Sequence, residues 1–149
     1  MNNLVLLRVA SVLWGIWGVF HLFIGVALLM VIAEGHPEGQ LSAIPGILNI
    51  DMMGSEGRFT VVPMLQQNAY NLAWFGVVVT VGCVYVWRRS ANAMFLCTLI
   101  GGLADFGYFI YVDLPGYADP PGPQMTYVMA TAIALSWYVY FKSDRLGAV

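Results

Sequence analysis

The stretch Val9–Ala33, VASVLWGIWGVFHLFIGVALLMVIA, contains a single ionisable residue, His21. At 1.5 Å per residue, a helix of this length crosses a hydrocarbon layer of about 30 Å. Arg8 followed by an apolar run resembles a secretory signal, but a cleavable apolar core is only about 7–15 residues long. The run therefore reads as a retained first span. An imidazole is costly in hydrocarbon and is rarely left facing lipid, so His21 marks a candidate site.

Working outward, 60% of the chain is hydrophobic and 9% is charged. A soluble domain carries about 25% charged residues, so a mostly wet surface is excluded and the membrane reading follows. The net charge of −2 and the lack of a basic stripe argue against nucleic acid as a partner. The 149 residues form a single transmembrane domain, 1–149.

Four runs reach spanning length: residues 4–33, 64–88, 91–112 and 124–141. Pro63 suits a first helical position for the second, and Ser90 suits the N-cap of the third. Arg8, Arg88, Arg89, Lys142 and Arg145 fall on one side if both termini are cytoplasmic, and only Arg58 falls on the other. Glu34, Glu38, Asp51, Glu56, Asp113 and Asp119 gather on the outer side. Trp87, Trp137, Tyr138 and Tyr140 fit an inner interfacial belt, and Tyr111, Tyr117 and Tyr127 an outer one. The expected fold is all-α, a four-helix transmembrane bundle with both termini inside, placed as a multi-pass protein of the bacterial inner (plasma) membrane.

The outer loop, residues 34–63, mixes Gly and Pro with Leu41, Ile44, Ile47, Leu48, Ile50, Met52 and Met53. A polar linker needs none of these, so the loop reads as a lid or an interfacial segment. Cys83 and Cys97 form no CxxC pair and read as free packing residues.

Counting 1.5 Å per residue from the inner boundary puts His21 at roughly 18 Å and Asp105 at roughly 22 Å; Asn71 comes at roughly 25 Å and Thr131 at roughly 16 Å. On the first span Ser11, Gly15, Gly18 and Gly25 recur at helical spacing, and His21 shares their face. Asp105 shares a face with Gly101, Tyr108 and Val112; Gln67, Asn71 and Trp74 share one, with Asn68 and Tyr70 alongside. The simplest packing turns these faces toward one another. His21 and Asp105 then become the candidate acid–base pair, with Asn71, Tyr108, Trp74, Trp17, Asn68 and Thr131 around a ligand.

Several readings of this polar centre compete. The groups can satisfy one another and fix helix register, since such bonds are worth only ~0.6–2 kcal/mol in membranes. They can line a pocket, walled by Trp14, Phe20 and Phe106 among others, for a lipid-soluble small molecule: an isoprenoid, a quinone, a sterol-like compound or a lipid. Proton conduction calls for a longer relay. A metal site would find His21 and Asp105 in the core and His36 in the loop, whereas zinc takes three or four ligands; no metal is expected, a haem held by His21 would lack a paired His on another span, and the sequence leaves the cofactor open. The chain carries no GxSxG, HExxH, P-loop or GxGxxG signature.

The stretches RVASVLWGIWGVFHLFIGV (8–26), NLAWFGVV (71–78) and GGLADFGYFIYVDLPGY (101–117) resemble a family of small four-span bacterial integral membrane proteins with no assigned activity. Through the Arg, Gly and His pattern of the first span they more loosely resemble DoxX-like proteins. The resemblance implies the four-span fold and carries no reaction. The emopamil-binding-like sterol isomerases also place His, acids, Asn and Trp inside four spans. Here the acid is Asp105 rather than a pair of Glu residues, and the order differs, so that likeness is one of architecture. The leading expectation is a polar intramembrane site for an apolar small molecule, with acid–base chemistry as a subset. The alternative is a non-enzymatic subunit or scaffold that packs against another membrane protein or a second copy.

Overall fold

The computed structural model describes residues 2–33, 55–116 and 120–142, and among these every regular element is helical. Helix α1 is Asn3–Ala33, α2 is Ser55–Trp87, α3 is Ala91–Tyr108 and α4 is Gly122–Lys142. A π-helical turn, Phe109–Asp113, continues α3.

Among the described residues, three segments are long and apolar enough to cross a membrane: Asn3–Ala33, Val62–Trp87 and Ala91–Asp113. Helix α4 has 21 residues, but Gln124, Thr126, Thr131, Ser136 and its tyrosines make it more polar than these three. The distribution of side chains points to membrane as well. Val12, Ile16, Val19, Phe23, Leu103 and Phe106 face outward, while Ser11, His21, Asp105, Thr126 and Ser136 are buried. Water would punish such an apolar exterior; lipid does not.

Helix α1 lies along α2 and also packs against α4, α2 packs against α3, and α3 against α4. Helices α1 and α3 are thus diagonal and scarcely meet through their backbones. The α1–α2 approach depends on missing side chains. A Cβ on Gly76 would lie 2.6 Å from the Gly18 carbonyl oxygen and 2.7 Å from Leu22 Cα, and one on Gly25 would lie 2.7 Å from the Ala69 carbonyl oxygen. Two backbones meet at this seam, as small residues permit in membranes. Ser11 donates its hydroxyl to the Cys83 carbonyl (2.6 Å) on the same side of α1.

The α2–α3 turn is tight. Arg89 takes φ 70°, and the amides of Arg89 and Ser90 donate to the Val86 and Tyr85 carbonyls (both 2.9 Å). This is a Schellman closure with Arg at the position glycine usually fills. Ser90 then caps α3, accepting from the Ala93 amide at 3.3 Å, as its sequence position suggests.

Two expectations are corrected. Pro63 does not start the second helix: α2 begins at Ser55 and carries Pro63 in its interior. Proline there removes one backbone donor, but the turns on either side carry the helix through. The expected loop 34–63 therefore ends earlier, and its lid reading falls on residues 34–54, outside the described residues. Cys83 and Cys97 are free thiols.

Candidate functional site: a Trp–His–Asp centre

Since α1 and α3 are diagonal, only long side chains can join them, and Trp17 and His21 do so. The Trp17 indole N–H donates to Asp105 Oδ2 at 2.7 Å. His21 Nε2 lies 3.5 Å from Asp105 Oδ1. His21 Nδ1 lies 2.9 Å from the Trp17 carbonyl oxygen, one turn back on its own helix. The Trp17 and His21 rings stack with centroids 3.8 Å apart and planes 21° apart, and Phe20 meets the imidazole edge-on. Asp105 is 3% exposed and His21 9%.

Hydrogen-bond chemistry fixes the tautomer. A carbonyl oxygen only accepts, so Nδ1 carries a hydrogen and Nε2 is left for Asp105. If Nε2 and the carboxylate were both bare, a lone pair would face a negative charge in a dry core. A single proton between Nε2 and Oδ1 would satisfy both atoms, as imidazolium–carboxylate or as imidazole–carboxylic acid. The 3.5 Å separation exceeds the 2.7–2.9 Å of a fully formed charge-assisted bond. Trp17 occupies the other atom of each group. What remains is Nε2 facing Oδ1, 3.5 Å apart.

One layer along, the fully buried Trp14 donates its indole N–H to Ser136 Oγ at 3.2 Å, linking α1 to α4. Gly101 gives Trp14 room: a Cβ there would lie 2.8 Å from the ring. Leu7, Met94, Cys97, Met129 and Ala132 fill the space around these rings.

The other residues expected at the site are scattered. Trp17 is in the centre, as a holder of polar groups rather than an apolar wall. Tyr108 lies one turn beyond Asp105 on α3, half-buried, with its hydroxyl end against Gly122 at the start of α4. Asn71 is half-buried and accepts at 3.1 Å from the indole of Trp74, which is 38% exposed. Asn68 is exposed, and Thr131 is exposed with its hydroxyl donated at 2.8 Å to the Tyr127 carbonyl on its own helix. Asn71, Asn68, Trp74 and Thr131 do not turn inward as expected. Short-range partners satisfy Asn71, Trp74 and Thr131, and helical period gives an angle without saying which neighbour stands there. Sequence reasoning missed the Trp14–Ser136 pair and the role of Trp17; the i, i+4 spacing of Trp17 and His21 was the available signal.

Among the described residues no three His, Cys, Asp or Glu side chains gather as metal ligands. An open apolar groove of about 530 Å³ lies between α3 and α4, lined by Phe95, Leu99, Leu103, Phe106 and Ile133 among others. Searches against protein-family models, curated proteins and solved structures returned no match.

Proposed function

We propose that the chain is a four-span protein of the bacterial inner membrane with both termini cytoplasmic, and that its His21–Asp105 pair is a polar intramembrane site for a lipid-soluble small molecule. Four spans rather than three are supported by α4, whose 21 residues rise about 31 Å and pack against both α1 and α3. Arg8, Arg88, Arg89 and Lys142 then share one side, and Arg8 stacks over Trp87 at 5.1 Å, at the expected interfacial level.

One observation carries the functional reading. Of the four polar atoms on His21 and Asp105, two are taken by Trp17, and the two that face each other stand 3.5 Å apart. We read that spacing as capacity for a partner rather than as the closed bond of a pair that only fixes register. One proton between Nε2 and Oδ1 would set a donor beside an accepting oxygen, the equipment for proton exchange with a bound molecule. An isoprenoid, a quinone, a sterol-like compound or a lipid meets the requirement of solubility in hydrocarbon plus a polar atom. Mass spectrometry of small molecules retained by the purified protein tests this. A species retained by the wild type and lost from His21→Ala and Asp105→Ala, both still inserted, is the expected result; equal retention by all three counts against it.

A second reading is favoured by the groove between α3 and α4. Its apolar, outward-facing walls suit a helix of another membrane protein or a second copy, as a scaffold would need. Crosslinking from Leu103→Cys in the membrane, with the pair's variants unaffected, would support it.

A further inference from the structure

The geometry of the pair also points to the polar group it takes. We propose that the site selects a lipid-soluble alcohol over a ligand with the same tail ending in a carbonyl or an ether. This inference rests on the reading of His21–Asp105 as a small-molecule site and names the ligand class.

Three facts lead to it. The tautomer set by the Trp17 carbonyl presents Nε2 toward Asp105. Asp105 Oδ2 is already engaged by the Trp17 indole, so Oδ1 is the oxygen with capacity. The pair is separated by 3.5 Å, and the imidazole is the more accessible partner, with 11% of its side chain exposed against 5% for Asp105. An oxygen about 2.8 Å from both Nε2 and Oδ1 closes a triangle on that 3.5 Å edge.

That oxygen meets a donor on one side and an acceptor on the other. With the shared proton on Nε2, it must accept from Nε2–H and donate to Oδ1, and a hydroxyl does both. With the proton on Oδ1 the roles reverse, and a hydroxyl again satisfies both. A carbonyl or ether oxygen accepts from one group and leaves the other unmet in a dry core. Leaving a buried polar group unpaired is the strongest basis for discrimination that such sites have. No covalent step is required: the alcohol's proton and the site's proton remain in one closed set of hydrogen bonds.

The test is competition for tritiated farnesol on the full-length protein in lipid nanodiscs, by unlabelled farnesol, farnesal and farnesyl methyl ether. The ether partitions most strongly into the bilayer, so non-specific uptake works against the expected order. Farnesol displacing the label at least about tenfold better than the aldehyde and the ether supports the proposal. So does loss of this binding in Asp105→Leu, with helical circular dichroism retained. Equal displacement by all three would overturn the alcohol selectivity while leaving a small-molecule site at the pair. Binding unchanged in Asp105→Leu, or no farnesol binding at all, would overturn the proposal; the retained-molecule measurement then decides the broader reading separately.

Discussion

The seam between α1 and α2 and the centre where α1 reaches α3 and α4 are built by opposite means. At the seam Gly18, Gly25 and Gly76 bring backbone against backbone with no room for a methyl group. In the centre Trp17 and His21 span the diagonal to α3 and Trp14 reaches the neighbouring α4, each carrying a polar tip to a partner. Both surfaces belong to α1 and lie about a sixth of a turn apart. The seam fixes the helix in place; the rings then reach across from a fixed base to hold a carboxylate in hydrocarbon. Close packing without polarity supplies rigidity, and polarity is spent only where rigidity makes it directional.

The largest expected effect falls on the seam. Gly76→Ala forces a Cβ against the Gly18 carbonyl and the Leu22 backbone, and should cost about 3 kcal/mol, the upper end of ordinary overpacking. Reversible unfolding in detergent measures it. A loss under about 0.5 kcal/mol would mean that the seam relaxes freely and the contrast between the regions fails.

Trp17→Phe comes next. It keeps an aromatic ring and the backbone carbonyl, and removes the indole N–H from Asp105 Oδ2 together with part of a fully buried ring. Stripping one bond from a buried carboxylate should cost about 1–2 kcal/mol and should weaken retention of a bound molecule. An unchanged protein would show that the indole does not hold the acid.

Trp14→Phe sharpens the distinction within the centre. The lost bond joins an indole to the Ser136 hydroxyl, both uncharged, and about 0.6 kcal/mol is expected for it, the average for such links in membranes, on top of the lost ring volume that the two variants share. A cost as large as that of Trp17→Phe would mean that the charge on Asp105 adds nothing. The smallest effect belongs to Asn71→Leu: its bond to Trp74 is local to α2, and ligand retention should be unchanged within error.

Much of the arrangement was legible in the sequence. Counting 1.5 Å per residue put His21 and Asp105 at similar depth, and the two side chains meet. The small-residue face of α1 was also legible, but helical period merged it with His21 into one surface. The structure divides that surface, sending Gly18 and Gly25 to α2 and His21 to α3. The division depends on which neighbour stands at each angle, which a single helix does not encode. The same limit explains Asn71 and Thr131, whose polar groups find partners on their own helices. Pro63 misled because a lone proline suits a helix start and a helix interior packed in a larger assembly alike.

Nitrogen-15 NMR of the imidazole tests the central claim most directly. In a His36→Gln background only His21 contributes a histidine signal. A proton is expected on Nδ1, held by the Trp17 carbonyl, with an Nε2 resonance that shifts in Asp105→Asn while Nδ1 does not. A neutral ring with a bare Nδ1, or an Nε2 resonance indifferent to residue 105, would contradict it.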